Sequence, residues 1–361
     1  RLPSLRMNRA RDWSEFNTAV DSFGTPGQNV IFLDRSGNLG YRASGRGIKR
    51  SSPSDFIEDL NHRSWQGISA PSSRPRKLVE FDPKHKNFIA TANERIWVDE
   101  NRHAWAPDDR VRRINALLDQ TDHATAGQMK DLFVDTHSLM HMKLRDFLIR
   151  FGAESDFGNG QKEEWLKWNG KAIDGKDVFT DLDYGLRIFD NILVGRVKDH
   201  FAGKEAVVPN YYHYMKRAWM ARLLDDPDRV SLFGFSPNDL AVNVLRKINL
   251  KSRKNRKRYD IANTWKSQHP FVNNVPIIGN LFAVSEVPQT GFNNVVKVEA
   301  PKFGASTRLL FDLSDIHKSE WAFPVGQSGH FHFSGYTNFR DRFMQNIFVP
   351  MIPEHLKEKF K

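Results

Sequence analysis

Apolar residues are spaced in two different ways along the chain, and the two spacings predict a mixture of strands and helices. An apolar run at residues 30–33 is followed by the turn sequence RSGN at 35–38, and residues 39–44 return to a strand-like pattern. This order predicts a β-hairpin. Because every interior position of the first run is apolar, we expect its strand to be covered on both faces.

Two capping patterns mark the starts of predicted helices. Asp12 and Glu15 stand three residues apart, as do Thr125 and Gln128, which is the spacing of a capping box. The second pattern opens one long predicted helix with a broad apolar face. The residues on that face are Met129, Leu132, Phe133, Met140, Leu144, Phe147 and Leu148.

The order of the elements divides the chain into three predicted regions. Residues 1–122 combine strands with a helix, 123–255 are mostly helical and end in a basic tract, and 256–361 return to strands. Residues 48–86 are rich in Ser, Pro and Arg and show little periodicity, so we expect a long surface connection there. Together the three regions predict an α+β fold.

The segment at residues 88–120 has the most informative pattern. Its first three residues predict a short buried strand, and Asn93 and Glu94 follow in a polar loop. An amphipathic helix is predicted from Asp108, with Arg110 beside its apolar face. An asparagine amide at the end of a strand can donate a hydrogen bond to a developing oxyanion, and a nearby arginine can hold that asparagine. The same residues also fit a simple turn and a surface charge on a helix.

Composition narrows the class of protein. Hydrophobic residues make up 39% of the 361 residues, including 27 Phe and 9 Trp, which indicates a folded globular protein. No apolar run approaches the ~18 residues of a membrane-spanning helix. The sequence has no cysteine, which excludes disulfides and thiol-bound metals and fits an oxidising compartment.

The formal net charge of +11 is unevenly distributed. Residues 246–258, RKINLKSRKNRKR, contain eight Lys or Arg and no acidic residue. This basic tract fits a contact with an acidic partner, a membrane surface or nucleic acid, and it also fits a solvated loop, which we favour. No aromatic residue interleaves with these charges, so the tract does not support a platform for single-stranded nucleic acid.

Two pairs of histidines have regular spacings. His137 and His141 are four apart on the long predicted helix, which is a metal-ligand spacing, and His330 and His332 alternate with Phe on a predicted strand face. We expect no third histidine or acidic residue on either face. We therefore interpret these histidines as core or surface residues.

Several of these segments resemble motifs of the penicillin acylase family, which belongs to the N-terminal nucleophile hydrolases. FIATANE at residues 88–94 resembles the family pattern I-x-T-A-N-N, and LDRSGNLGY at 33–41 is similar to A-D-x-x-G-N-I-G-Y. DRVRRINALL at 109–118 resembles (D/Y)-R-x-x-R-I-x-x-L-L, and residues 326–329 match the family's G-Q-S-G. The resemblance spans nearly the whole chain.

The resemblance implies a four-layer αββα fold with a large helical insertion. In this family an N-terminal Ser, Thr or Cys is the nucleophile, its α-amine is the general base, and it lies well upstream of the hairpin motif. The sequence begins at Arg1, only a short helix ahead of that hairpin. We therefore expect the chain to be the C-terminal portion of a β chain, with an α chain and the N-terminal part of the β chain as its partners.

By the same resemblance, Asn93 is the oxyanion donor and Arg110 is the active-site arginine. Glu94 stands where the family has a second Asn, which puts a negative charge beside the donor unless an arginine pairs with it. Asp99 matches a position that helps to bind a structural calcium ion in some members. One carboxylate does not define a calcium site, which needs about 6–8 oxygen ligands. No cofactor is required for the chemistry.

The resemblance implies hydrolysis of an N-acyl amide bond in a small substrate, such as a β-lactam side chain or an acyl-homoserine lactone. The alternative is a catalytically inactive relative that serves as a structural subunit of a larger assembly. We expect a periplasmic or extracellular location, with an organelle such as the mitochondrion as the alternative.

Overall fold

The structure is a computed structural model, and it describes most of the chain. The described residues are 2–24, 27–46, 48–50, 65–68, 76–79, 88–94, 107–174, 176–200, 219–251, 264–265, 282, 287–300 and 303–360. They form two compact units, Arg1–Asp122 with Val194–Met220, and His123–Leu193 with Ala221–Lys361. Within these residues no helix is both long and apolar enough to cross a membrane.

Helices and strands are both present, so the predicted α+β class is confirmed. The helices are α1 (Pro3–Met7), α2 (Trp13–Asp21), α3 (Asp109–Asp119), α4 (Ala126–Phe133), α5 (Leu139–Phe151), α6 (Gln161–Lys167), α7 (Lys176–His200), α8 (Pro237–Leu250) and α9 (Arg340–Met344). Short 3-10 helices lie at Glu154–Asp156, Pro227–Phe233, Ile316–Lys318, Ser334–Tyr336 and Glu354–Phe360.

The strands are short and pair in small antiparallel sheets. They are β1 (Asn29–Leu33), β2 (Leu39–Ala43), β3 (Ile48–Arg50), β4 (Trp65–Ile68), β5 (Arg76–Val79), β6 (Thr264–Trp265), β7 (Val287–Pro288), β8 (Glu299–Ala300), β9 (Phe303–Gly304), β10 (Arg308–Leu310), β11 (Glu320–Ala322) and β12 (Val349–Pro350). The two three-stranded sheets have the orders β1-β2-β5 and β10-β11-β12, and the other strands pair as β3-β4, β6-β7 and β8-β9.

The predicted hairpin forms the first sheet. Asn29 lies opposite Ala43 and Leu33 lies opposite Leu39, so the hairpin prediction is confirmed. The expectation of a plain connection at residues 48–86 is wrong, because β3, β4 and β5 all lie there. Strands of three or four residues are too short to show a period-2 pattern, so pairing with their neighbours decides their conformation.

Helix α2 packs on one face of this hairpin. The rings of Trp13 and Phe16 lie 5.6 and 5.0 Å from that of Phe32, and Gly40 leaves the space that Trp13 occupies. On the opposite face, Ile31 and Leu33 are 43% and 44% exposed. The prediction that β1 is covered on both faces is therefore wrong, because helix α2 packs only on the face that carries Phe32.

The second unit has a helical core. Met140, Leu144 and Leu148 of α5 are fully buried, and Gly185 of α7 lies close to Leu144 and to Ile248 of α8. The absence of a side chain at this glycine lets the three helices approach one another. Arg246, the first residue of the basic tract, lies on α8 and pairs with Asp156 at 3.1 Å. Residues 252–263, which include the end of that tract, lie outside the described residues.

The long helix predicted after Thr125 is two helices. Thr125 and Gln128 form the predicted capping box at the start of α4. The chain then breaks after Phe133, because Ser138 caps a new helix by accepting a hydrogen bond from the backbone N–H of His141. His137 therefore precedes α5, and its backbone bridges to Lys171.

The motif at residues 326–329 folds against the segment that follows it. The Gly326 N–H donates to the Tyr336 carbonyl oxygen at 2.8 Å, and the Ser328 N–H donates to that of Gly335 at 3.0 Å. His330 and His332 lie in this turn, so the predicted strand is wrong there. Gly326 has no side chain, which allows this close approach to the backbone of Gly335.

Replacing Gly326 by alanine is expected to destabilise the second unit. A Cβ at this position would collide with the backbone of Gly335, which cannot move aside as a flexible side chain would. We expect the free energy of unfolding to fall by about 1–3 kcal/mol, as in other overpacked sites. Thermal unfolding followed by circular dichroism measures the change.

Gly329 is the matched control in the same motif, since a Cβ there has no neighbour within 4 Å. Gly329→Ala is expected to unfold at the wild-type temperature. Equal stability of the two variants would show that the close approach at Gly326 is unimportant.

Candidate active site

The segment at residues 88–94 has an unusual backbone conformation. Residues 88–90 are half-buried and belong to no strand, so the prediction of a buried strand is wrong there. Side chains rather than a backbone ladder connect the segment to β1, since the Asn29 amide donates to the Thr91 hydroxyl at 2.8 Å. Asn93 has a φ of 68°, in the left-handed region that asparagine tolerates better than most residues. Non-glycine residues in this region cluster at functional sites.

Arg110 holds this asparagine. The arginine lies in the first turn of α3, and its Nη2 donates to the Asn93 Oδ1 at 2.7 Å and to the Ala92 carbonyl oxygen at 2.6 Å. Sequence reasoning predicted both Asn93 and Arg110 as site residues, and the structure brings them into direct contact. The helix start after Asp108 is confirmed as well.

The bond from Arg110 determines which way the Asn93 amide faces. A guanidinium only donates hydrogen bonds, so the atom that it contacts is the amide oxygen. The Nδ2 group must therefore point elsewhere, and the Asn93 side chain is exposed. In the part of the chain that the structure describes, the bond from Arg110 is the only hydrogen bond of this side chain. The amide N–H groups can therefore donate to a ligand.

Glu94 is buried behind this asparagine, with 8% of its surface exposed. Its Oε2 accepts from the Ala92 N–H at 2.5 Å and from the Thr91 hydroxyl at 3.4 Å. The carboxylate is therefore bound to the two residues before Asn93. Burial lowers the pKa of Arg110 from its usual value, and the negative charge of Glu94 acts in the opposite direction.

A chain of hydrogen bonds connects Glu94 to the hairpin. The Tyr41 hydroxyl donates to the Asn29 Oδ1 at 2.8 Å, and the Asn29 amide donates to Thr91, which in turn donates to Glu94. Burial raises the pKa of Tyr41, and the charge of Glu94 adds to the effect. Tyr41 is therefore protonated and can donate at neutral pH.

Asn29, Thr91 and Tyr41 are not predicted as site residues from the sequence. Thr91 and Tyr41 stand inside two of the family-like motifs, and that position is a signal that could have found them. Asn29 stands outside those two motifs, and its role depends on a diagonal contact with Tyr41 across the hairpin and on the approach of Thr91 from 62 positions away.

The position of the predicted calcium ligand, Asp99, is not among those that the structure describes. The described residues contain no group of three His, Asp or Glu able to hold a metal ion. His141 is a core residue, which agrees with the interpretation of these histidines as core or surface residues, and it stacks on Phe179. An acid reaches His141 from a different helix, since Asp183 of α7 lies 3.7 Å from its Nε2. Burial raises the pKa of Asp183, and His141 and Arg187 outweigh that effect and hold it below its usual value.

Comparison with known structures identifies a similar fold. The structure of a thermostable penicillin G acylase from Alcaligenes faecalis is similar to 99% of this chain and to 70% of that chain, with a TM-score of 0.63 and 13% sequence identity. This likeness shows that the chain has the N-terminal nucleophile hydrolase fold, as predicted. No curated protein matches the sequence.

The family assignment rests on the sequence itself. The penicillin amidase family matches residues 2–355, which is nearly the whole chain. The chain therefore belongs to the penicillin amidase family, and the predicted resemblance is confirmed. Family membership and fold together support an acylase-like amidohydrolase.

Proposed function

We propose that this chain supplies the oxyanion donor, Asn93, and its supporting arginine, Arg110, to a hydrolase of N-acyl amide bonds. The nucleophile is an N-terminal Ser, Thr or Cys outside this sequence, contributed with the remaining acylase chains in the periplasm or outside the cell. The observation that carries the proposal is an exposed asparagine amide, held at positive φ, whose oxygen is occupied by an arginine.

The chemistry follows from that orientation. Attack of the nucleophile on the amide carbonyl forms a tetrahedral intermediate and moves negative charge onto the carbonyl oxygen. The Nδ2 group of Asn93 can donate to this oxygen, and one such donor is worth about 2.7–4 kcal/mol in the transition state. Because Arg110 holds the amide before the substrate arrives, little free energy is spent on orienting it during the reaction.

The substrate class is a small N-acyl amide, such as a β-lactam side chain or an acyl-homoserine lactone. The test combines activity with mass spectrometry of the purified assembly. Hydrolysis of a panel of chromogenic N-acyl anilides, together with an acyl adduct on a chain that begins with Ser, Thr or Cys, would support the proposal. Absence of both the adduct and such a chain would contradict it and favour the inactive structural subunit.

Replacing Arg110 by alanine is expected to lower kcat. The substitution removes the hydrogen bonds to Ala92 and Asn93, so the amide samples other orientations before reaction. Hydrogen bonds to charged groups are worth about 1.5–3 kcal/mol each, which corresponds to a loss of roughly tenfold to hundredfold in kcat. Arg110→Lys should recover part of it, because a lysine keeps the charge and loses the planar guanidinium.

Arg112 is the matched control for this substitution. It lies on the same helix and is exposed. Steady-state kinetics of Arg112→Ala should resemble the wild type. A full kcat in the Arg110→Ala variant would exclude the orienting role.

A further inference from the structure

The hydrogen bonds around Ala92 point to a second group that controls the oxyanion donor. The Ala92 N–H donates to Glu94, and the Ala92 carbonyl oxygen accepts from Arg110. The two polar backbone groups of the residue before Asn93 are therefore held by opposite charges. Left-handed backbone costs about 1–2 kcal/mol for an ordinary L-residue and less for asparagine, and bonds to both polar groups of Ala92 help to keep this conformation populated.

We propose that Glu94 is a positioning residue for Asn93, and that the Tyr41–Asn29–Thr91 chain anchors it to the β1-β2 hairpin. This inference rests on the proposed role of Asn93 as the oxyanion donor. Glu94 is the residue that replaces the second Asn of the family pattern, and the proposal gives this replacement a function.

Burial of the Glu94 carboxylate costs free energy unless other groups stabilise its charge. A carboxylate with 8% exposure loses most of its hydration, which is offset only by hydrogen bonds or a nearby positive charge. Glu94 has both kinds of support, since it accepts from Ala92 and Thr91 and interacts electrostatically with Arg110.

The hydrogen bonds that connect Tyr41 to Glu94 all run in one direction, from donor to acceptor toward the carboxylate. A protonated tyrosine hydroxyl donates to an amide oxygen, the amide nitrogen donates to a threonine hydroxyl, and that hydroxyl donates to the carboxylate. Each group donates in the direction of Glu94, and at every step a group that can donate meets a group that can accept. The negative charge at the end favours this arrangement over the reverse one.

A carboxylate beside the oxyanion donor would oppose catalysis if its negative charge were not offset. Glu94 and Arg110 bind the N–H and the carbonyl of the same residue, so their charges offset each other near Asn93. The exposed amide of Asn93 is bonded to the arginine rather than to the carboxylate. The pair can therefore fix the backbone without adding net negative charge to the oxyanion site.

The test compares Glu94→Ala with Glu94→Gln in the purified assembly. Two readouts are measured: hydrogen–deuterium exchange of the peptide that covers residues 88–94, and kcat and KM for an N-acyl anilide. We expect faster exchange and a kcat about tenfold lower in the alanine variant, with KM little changed. Glutamine retains an acceptor for the Ala92 N–H and should restore most of both.

Two further variants keep the proposal testable if Glu94→Ala does not fold. Thr91→Val removes the hydroxyl that donates to Glu94, and Tyr41→Phe removes the far end of the chain. Exchange in residues 88–94 should increase more in the first than in the second. Glu163→Ala, at an exposed position on α6, is the control and should change neither readout.

The outcomes separate this inference from the proposed function. Unchanged exchange and kcat in Glu94→Ala and Thr91→Val would overturn the positioning role. Equal losses of kcat in the alanine and glutamine variants, with unchanged exchange in both, would also overturn it, because the loss would then come from the charge and not from the position of Asn93. Full activity after removal of the Asn93 side chain would instead overturn the proposed function, whatever the exchange of residues 88–94.

Discussion

Replacement of Asn93 by glycine is expected to lower kcat by about 10²–10³-fold, which is the loss measured when a side-chain donor is removed from other oxyanion holes. Glycine adopts positive φ without strain, so this variant keeps the backbone turn and removes only the side chain. Because the amide contributes mainly to the transition state, KM should change little. Steady-state hydrolysis of an N-acyl anilide by the purified assembly measures both constants.

Two other variants complete this test. Asn93→Asp keeps an oxygen for Arg110 and removes the Nδ2 donor, so it should be as inactive as the glycine variant. Asn191→Ala, at an exposed position on α7, should behave like the wild type. A kcat in the glycine variant close to that of the wild type and of Asn191→Ala would refute the oxyanion assignment.

The largest loss of stability is expected at Glu299 in the second unit. This carboxylate is 3% exposed, and its Oε1 lies 3.5 Å from both the Lys297 Nζ and the Arg308 Nη2. Its Oε2 accepts from the Gly291 N–H at 2.9 Å. Burial lowers the pKa of Lys297 and of Arg308, and the charge of Glu299 acts against that effect in both.

Glu299→Gln therefore leaves two buried positive charges without their carboxylate. We expect the free energy of unfolding to fall by about 3–5 kcal/mol, the cost of removing one partner from a buried ion pair. Chemical denaturation followed by tryptophan fluorescence measures this change. Removing one cation as well, in Glu299→Gln with Lys297→Met, should recover part of the loss.

The exposed pair of Lys357 and Glu354 is the control for Glu299. Glu354 is 86% exposed, and ion pairs in solvent contribute little to stability. Glu354→Gln should leave the denaturation midpoint unchanged. Equal midpoints for the Glu299 and Glu354 variants would show that burial does not strengthen the cluster.

The core of the site could be predicted from the sequence because its signals are local. Asn93 lies within a motif of a few residues, and Arg110 stands in the first turn of an amphipathic helix 17 positions later. Helix caps at Asp12 and Thr125 are likewise read from residues three apart, and the structure confirms both. Neither the family motifs nor these caps depend on distant pairing.

What could not be predicted depends on contacts between distant parts of the chain. Asn29 reaches Thr91 from 62 positions away, and the approach of Asp183 to His141 requires two helices to pack together. The break between α4 and α5 at Ser138 was not predicted, because the apolar pattern continues across it. In the first two cases tertiary contacts decide what no local pattern shows, and in the third a local helix cap interrupts a continuous apolar pattern.

The first sheet has a consequence for handling the protein. Among the described strands β1 is at the edge of its sheet, and Ile31 and Leu33 expose an apolar face there. An edge strand of this kind is a template for pairing with another chain. We therefore expect this chain to aggregate at high concentration when nothing covers that edge, which light scattering of the purified chain measures.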